Sequence, residues 1–453
     1  MKMKYQLKKI YPLFFLLLFV TRINAQESLG GYTLEKCIGY ALKGNNVIQQ
    51  HNSEIGESEY KRKEQQSQLL PQVSINSQYD RYIEIPSTIL PGEIIGQPGE
   101  KISVQAGTKN VLDLSARLEQ VIYDPGLFQG IKIARSNVEL QQLRKSLTEE
   151  DVIYNVCHVF YELMSSEEEL RIVDTISLEQ EELFQIIRQK VNEGASRSID
   201  LNRIQVNINN LKLRKKGLIN VIFQQKNYLK TLLGMPIGDL FEINYTSSEL
   251  IEIADVFPSV AGYNYIGLDI LEKQKDIIGI QIKQEKQKYL PVLSGLIAGG
   301  YQFQSDKFRI TKDPWASSVV VGLRLRFPIF DGFAKRNKIK QLRFQQQNVD
   351  FQIRNKQLEL DANQRNAINQ LQTSYESINE QKNNLLLAED NYNKTNLLYQ
   401  EGLIDITDVF NTESTLFNSK VSYVKELINY KKSHIDLLKS QGRLRNNIKA
   451  VIK

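Results

Sequence analysis

Two glycine–aspartate pairs have the spacing of a site that is repeated within the chain. Asp200 follows Gly194 by six residues, Asp408 follows Gly402 by six, and the two pairs are offset by 208 positions. Each pair interrupts a long helical pattern, so the glycine supplies backbone freedom where one helix stops. A carboxylate at the start of the next helix can cap free N–H groups and lies at the favourable end of the helix dipole. The sequence therefore predicts two similar helical turns, each with an acidic group.

The residue types that most often form catalytic or metal sites are few and scattered. Cys37 and Cys157 make neither a metal-binding pattern nor a disulfide framework, and we interpret both as packing residues. Cys157 and His158 are adjacent, so on a helix they point to different faces. The other histidines are His51 and His434. Because no nucleophile–base pair, phosphate-binding loop or pair of catalytic carboxylates is recognisable, we predict no enzyme activity and no cofactor or metal.

The first 25 residues have the composition of a secretory signal peptide. A basic start precedes the short apolar run Pro12–Val20, and Ile23-Asn24-Ala25 precedes the expected cleavage site. Such a run is too short to span a bilayer as a helix. The rest of the chain has 53 Lys+Arg and 52 Asp+Glu, so the excess positive charge belongs to the signal peptide. Nucleic acid is therefore not an expected partner.

Internal similarity divides the rest of the chain into two units. Besides the two turns, Gln68–Ser74 matches Lys288–Ser294, and Val121–Gly126 matches Pro328–Gly332. Each unit reads as helix, strand, loop, strand, very long helix, turn and return helix. The predicted parts are a signal peptide at 1–25, a first repeat at 26–240 (strands 72–84 and 111–123, tip near 192–200), a connector at 241–262, a second repeat at 263–442 (strands 291–303 and 317–329, tip near 400–408) and a tail at 443–453.

The four predicted strands have an apolar and a polar face. Asp113, Arg117 and Glu119 alternate with apolar residues in one strand, and Arg324 and Arg326 do so in another. The strand "PVLSGLIAGGYQF" alternates less clearly, so its register stays open. Strands of this length can cross a bilayer when tilted, and aromatic residues cluster near their ends as in interfacial belts. We expect the five charged side chains to line a wet lumen, either tuning ion flow or only hydrating the wall; a soluble sheet with one wet face is the alternative.

Two stretches predict helices of unusual length, Pro125 to about Val191 and Phe333 to Tyr399. About 65 helical residues extend roughly 100 Å, and the apolar spacing is typical of helix packed on helix. Four strands cannot close a barrel, and open edges are not tolerated in hydrocarbon, so several copies must complete it. Three copies give twelve strands with cyclic symmetry. The predicted fold class is an α+β membrane protein, with a twelve-stranded barrel per trimer and a periplasmic α-barrel of coiled-coil hairpins; the loop at 86–110 would face the exterior.

In this arrangement the sequence resembles the TolC-type outer membrane efflux protein family over nearly the whole mature chain. The motifs that carry the resemblance are "YLPVLSG", "FPIFDG" and "YQEGLIDITDVFNTESTLFNSKVSYVKELINYKKSHIDLLKSQG". The resemblance implies a homotrimer in the outer membrane of a Gram-negative bacterium, surrounded by outer membrane lipid and extending into the periplasm. It also implies a periplasmic adaptor (membrane fusion) protein and a proton-driven or ATP-driven inner-membrane transporter as partners. The chain would be the passive exit duct of an efflux or type I secretion system.

The resemblance places the helical turns at the periplasmic tip, where the duct narrows and is gated. Asp408 matches the family's constriction aspartate, so three copies would form an acidic ring that selects against anions. Where the family has a second acidic residue, this sequence has Asn411, and where the family often has an arginine, it has Ile404. At most one acidic ring is therefore supported. Arg197 or Arg203 would have to replace that arginine. The predicted tip or gate residues are Gly194, Asp200, Tyr399, Gly402, Asp408 and Asn411.

Two other functions remain open from the sequence. A periplasmic coiled-coil scaffold attached to the envelope would share the long helices but would form no pores in bilayers. An envelope hydrolase with helical decoration would need a convergent carboxylate or Ser/His cluster, which the sequence does not display.

Overall fold

The computed structural model describes residues 31–91, 96, 99, 101–251, 265–307 and 314–445. The predicted signal peptide, half of the connector and most of the C-terminal tail lie outside these residues. No helix among the described residues is long and apolar enough to cross a membrane. In chain order the elements are α1 (Leu34–Gly44), α2 (Asn46–Ser67), β1 (Gln72–Arg81), β2 (Ser87–Pro91), β3 (Lys101–Gln105), β4 (Asn110–Tyr123), α3 (Pro125–Asn192), α4 (Ser198–Leu233), α5 (Ser247–Ile251), α6 (Ile266–Gln287), β5 (Val292–Ser305), β6 (Trp315–Arg326), α7 (Ala334–Gln400) and α8 (Ile406–Ser440).

Four strands form one antiparallel sheet in the order β1-β4-β5-β6. The register aligns Val73, Leu118, Ile297 and Val321 in one row, so the apolar residues of all four strands share a face. This row is largely uncovered, with Val73 69% and Val321 74% exposed. Apolar side chains in such numbers are stable only when something other than water covers them, which favours a lipid environment for this face.

The loop predicted at 86–110 contains a second, smaller sheet. β2 and β3 pair antiparallel, with Ile89 opposite Ser103 and Leu90 opposite Ile102. Pro86 precedes β2 and Pro91 ends it, where a missing N–H is tolerated. The segment predicted as a loop therefore contains two short paired strands, and its position on the exterior stays a prediction.

Two helices of 68 and 67 residues, α3 and α7, form the length of the molecule. At 1.5 Å per residue each extends about 100 Å away from the sheet. Each turns back into a return helix, α4 or α8, and forms an antiparallel hairpin with it. The helices pack side by side in the order α2-α3-α6-α7 next to the sheet and α4-α3-α8-α7 towards the turns. One chain therefore supplies a wall of helices whose two outer edges are α2 or α4 on one side and α7 on the other.

The main hydrophobic core lies halfway along this wall, where α1, α3, α4, α7 and α8 converge. Phe160, Leu163, Leu229 and Leu427 are almost completely buried there. Burial of one such side chain stabilises the fold by about 1.5–3 kcal/mol, so this region is the most strongly held part of the chain.

The single helix predicted before the first strand is two helices, α1 and α2. Asn45 separates them: its side chain accepts hydrogen bonds from Val47 N and Ile48 N and donates to Leu232 O at 2.8 Å. Asparagine at this position caps the new helix and competes with continued helical bonding. The break lets α1 cross towards α3 and α4 while α2 continues to the sheet.

Candidate functional site

The two hairpin turns have the same backbone construction. Gly194 and Gly402 have φ of 73° and 77°, the left-handed region that favours glycine. Behind them Ala195 N donates to Lys190 O at 2.8 Å and Leu403 N donates to Leu398 O at 2.9 Å. These bonds, together with those from the glycine N–H groups, are the Schellman pattern that satisfies the last carbonyls of a helix.

Asp200 and Asp408 lie in the first turn of α4 and α8, respectively. The predicted capping role is not what the structure shows, because the cap residues are Arg197 and Asp405 and neither makes a side-chain capping bond. The helices begin before the aspartates, so these side chains project from the helix instead of closing its end. Their position at the positive end of the helix dipole is retained.

Arg197 connects the two turns. Its Nε donates to Asp200 Oδ2 at 3.2 Å, and its Nη2 donates to Asp405 Oδ1 at 3.0 Å. Arg203 approaches the same carboxylate, with Nη1 3.7 Å from Asp200 Oδ1, and donates to Thr407 Oγ1 at 2.6 Å. Arg197 and Arg203, at the turn of the first hairpin, therefore both contact the beginning of α8 on the other hairpin.

Tyr399 packs close to the contact between Arg197 and Asp200. It borders a buried cluster of Ile187, Ile204, Ile208 and Ile406, which draws on both hairpins. Burial, together with the nearby Asp200 carboxylate, raises the pKa of Tyr399. The phenol therefore stays neutral over the physiological range and can serve as a hydrogen-bond group but not as an anion.

Asp408 and Asn411 stand apart from the Arg197 contact. Both are exposed on α8 in the single chain, three residues apart and therefore on the same side of the helix. The structure thus groups Asp200 and Tyr399 with the arginines between the hairpins and leaves Asp408 and Asn411 free to meet other surfaces.

The five charged residues predicted for the polar sheet face do share that face. Arg117 pairs with Ala298, Glu119 pairs with Leu296, and Arg324 lies on the next strand with its Nη1 3.7 Å from Glu119 Oε1. The open register of β5 is resolved by these pairs. On the polar face β5 presents the residues Val292, Ser294, Leu296, Ala298, Gly300 and Gln302.

The strand faces also place the remaining charges. Asp113 lies opposite Gln78 and Gln302, and Arg326 lies opposite Val292, on the same side as the Arg324–Glu119 pair. The face has both signs of charge, with its arginines toward the helical end and Asp113 nearer the other end. It can hydrate and order ions along a wall, but it has no convergent group for covalent chemistry.

A buried polar contact near the turns was missed from the sequence. Gln180 Nε2 lies 2.5 Å from both carboxylate oxygens of Glu413, and the two residues are 1% and 4% exposed. Burial raises the pKa of Glu413 to about 7. The available signal was its spacing, because Glu413 follows the buried Ile406 by seven residues and so occupies a core position of the helix pattern.

The surroundings of Cys37, Cys157 and His158 are those of residues with a structural role. Cys37 and Cys157 are both fully buried free thiols, and burial raises the pKa of each to about 12, so neither is a thiolate near neutral pH. His158 Nε2 and Tyr154 Oη both contact Asp436 Oδ1, at 3.0 and 2.9 Å. Within the described residues no group of three or more His, Cys, Asp or Glu side chains is arranged to hold a metal ion.

Comparison with known proteins identifies this architecture. Residues 276–443 match the family model described as "Outer membrane efflux protein". Outer membrane protein TolC of Escherichia coli (strain K12) is 19% identical over 351 residues, covering 74% of this chain and 70% of TolC. The structure of CusC superposes with a TM-score of 0.72 at 13% identity, covering 90% of this chain and 91% of CusC. The Campylobacter jejuni CmeC outer membrane channel gives 0.70 at 16% identity, covering 93% and 89%.

These comparisons confirm the resemblance and the fold class. Long helical hairpins are attached to a small sheet whose strands are long enough to cross a membrane, as in outer membrane channels. They also confirm the predicted location in the Gram-negative outer membrane with an extension into the periplasm. The related proteins are channels and not enzymes.

Proposed function

We propose that this chain, which carries an outer membrane efflux protein domain, assembles as a homotrimer and acts as the passive exit duct of a tripartite efflux or type I secretion system. The observation that carries the proposal is that both layers of the single chain are open at two edges. The sheet ends at β1 and β6, and the helical wall ends at α2 or α4 and at α7.

The sheet edges argue for closure by further copies. A strand edge has unpaired N–H and C=O groups, which cost several kcal/mol each in hydrocarbon. One face of this sheet is apolar and largely uncovered, which suits lipid, so the edges would lie in lipid as well. If β6 of one copy pairs with β1 of the next, three chains of four strands give a closed, antiparallel, even-numbered barrel.

The helical edges carry matching apolar stripes. On α4 the exposed residues Ile199, Val206 and Leu213 recur every seven positions. On α7 the exposed leucines at 386 and 397 lie 16 and 5 residues before Gly402, within the same part of the hairpin as the α4 residues, which lie 5 to 19 residues after Gly194. A stripe with heptad spacing packs against another helix, so α4 of one copy fits α7 of its neighbour. The same rotation would then close the barrel and the helical tube together.

The hairpin turns would form the narrow periplasmic end of this duct. In a trimer the exposed Asp408 would give a ring of three carboxylates, with Asn411 beside it, and the Arg197 contacts would hold the two hairpins of each chain in the closed arrangement. If so, Asp408→Ala should raise single-channel conductance in planar bilayers and reduce cation preference. Unchanged conductance and selectivity would exclude Asp408 from the constriction.

Transport through such a duct draws its energy from other proteins. We propose that a periplasmic adaptor docks at the hairpins and links the duct to an inner-membrane transporter, driven by protons or by ATP. The charged inner face of the sheet, with Asp113, Arg117, Glu119, Arg324 and Arg326, would be the water-filled exit.

The assembly is tested with the purified mature chain in detergent. We expect a trimeric mass by light scattering and discrete ion conductance in planar bilayers. Val206→Glu, which places a charge in the α4 stripe, should give monomers, whereas Gln205→Glu, which adds the same charge on a different face of α4, should leave the trimer intact. A monodisperse monomer that is soluble without detergent and forms no pores would instead support the envelope scaffold.

A further inference from the structure

A buried polar contact interrupts the hydrophobic packing between the two hairpins. On the side away from the turns, Val173, Ile176, Phe417 and Val421 form one buried cluster. On the side next to the turns, a second cluster is built from isoleucines of α3, α4 and α8. The Gln180–Glu413 contact lies between the two clusters, with Gln180 on α3 and Glu413 on α8. Its position makes it part of the joint that holds one hairpin against the other.

The polar contact reaches across three helices. Asn207 of α4 donates from Nδ2 to Gln180 Oε1 at 3.3 Å, while Gln180 donates to Glu413. The amide of Gln180 is thereby oriented by one hairpin towards the carboxyl group of the other. An amide fixed in this way presents its N–H₂ to Glu413, whichever protonation state Glu413 has.

The charged and titratable groups around Glu413 do little to stabilise a negative charge on its carboxyl group. Glu179 on α3 is a second acid nearby, and Tyr392 on α7 is a half-buried phenol. Arg214 on α4 lines the same groove, but its Nη2 is 2.8 Å from Glu169 Oε1 and its guanidinium lies over the ring of Phe417. No lysine or arginine among the described residues forms an ion pair with Glu413. Within the described residues, a negative charge on the 4% exposed Glu413 would therefore be stabilised by the amide of Gln180 and by no paired cation.

We propose that the Gln180–Glu413 contact is a protonation-sensitive joint between the two hairpins, which favours the closed tip when Glu413 is protonated and loosens it when Glu413 is charged. The inference rests on the proposed function as a gated duct. Opening the tip requires α7 and α8 to move away from α3 and α4, since each chain's two hairpins meet through α3 and α8. That movement would admit water to Glu413, and water stabilises the carboxylate.

The direction and size of the effect follow from proton linkage. Burial raises the pKa of Glu413 from 4.5 to about 7 in the packed arrangement, whereas a wetted carboxyl returns towards 4.5. The packed arrangement therefore binds the proton more tightly, and its advantage is complete below 4.5 and lost as the pH rises through 7. The ratio of open to closed tips should rise about tenfold per chain between pH 6 and pH 8. Carboxylates with ordinary pKa values stay ionised throughout this interval.

The test is single-channel recording of the purified trimer in planar bilayers between pH 6 and pH 8. We expect the wild-type protein to spend more time in the conducting state at the higher pH. Glu413→Gln, a neutral isostere that can still accept from Gln180, should keep the low-pH behaviour at every pH. Glu182→Gln removes a carboxylate from the exposed surface of α3, two residues from Gln180, and should retain the wild-type pH response.

The possible failures are distinguishable. If neither protein forms pores at any pH, the proposed function fails and not the joint alone. If pores form but the wild-type response is flat between pH 6 and pH 8, the joint is not a switch. An identical pH response in wild type and Glu413→Gln would assign the response to other groups and likewise overturn the inference.

Discussion

Replacing Glu413 by glutamine should stabilise the hairpin joint in a pH-dependent way. A carboxyl whose pKa rises from 4.5 to about 7 on burial favours the packed state while it is protonated and loses that contribution as the pH rises through 7. The shift corresponds to about 3 kcal/mol per chain. Glutamine stays neutral, so the variant keeps the full contribution, and the difference between variant and wild type should grow from near zero below pH 4.5 to that value above pH 7.

Amide hydrogen exchange measures this difference where it arises. The peptide to follow is 406–420, which includes Glu413 and the first turns of α8. After correction for the intrinsic pH dependence of exchange, we expect the variant to exchange about one hundred-fold more slowly than wild type at pH 8 and at a similar rate at pH 5. Peptides from α1, whose packing does not involve Glu413, provide the internal reference.

The result that refutes this reasoning is a constant difference. If Glu413→Gln changes exchange equally at pH 5 and pH 8, the effect is one of packing and not of charge. If the variant exchanges faster at pH 8, then the carboxylate contributes favourably through its bond from Gln180, and the assigned direction of the pKa shift is wrong.

Two further predictions use matched pairs of substitutions. Gly402→Ala should destabilise the second hairpin by about 1 kcal/mol, because φ of 77° disfavours a Cβ, whereas Gly39→Ala in the exposed interior of α1 should stabilise by up to about 1 kcal/mol; thermal unfolding in detergent compares them. Val321→Arg should cost about 2–4 kcal/mol and lower the yield of trimer in outer membrane fractions, because Val321 lies on the apolar face of the sheet. Val320→Arg, on the polar face in the same row as Ala298 and Arg117, should be tolerated, and equal yields would contradict the assignment of the faces.

The two hairpin turns are connected by an arginine of the first hairpin that contacts an aspartate of the second. The second hairpin has Ile404 two residues after its turn glycine, and Arg197 of the first hairpin reaches across to the neighbouring Asp405. The ion pair is exposed and so contributes little to stability by itself. The ion pair instead fixes the position of one turn relative to the other, because the same guanidinium also donates to the buried Asp200.

Much of the architecture was readable from the sequence, since it depends on local periodicity. Polar and apolar residues that alternate at every second position predicted the polar sheet residues on β4 and β6. Long runs in which apolar residues recur every three or four positions predicted α3 and α7 nearly to their ends. The positive φ of Gly194 and Gly402 also follows from the residue type, because only glycine adopts it without strain.

The remaining features depend on contacts between segments that are far apart in the chain. The register of β5 was settled only by its neighbours, because its small and apolar residues suit either face. The β2–β3 hairpin, the break at Asn45 and the reach of Arg197 to Asp405 likewise involve partners that periodicity does not report. Glu413 is the clearest case: its heptad position indicated burial, but its pKa and its partner depend on Gln180, 233 residues away in the chain. Local periodicity in the sequence therefore determined the long helices and the four strands of the main sheet. Tertiary packing decided which groups meet in a buried interface, where charge and protonation are set.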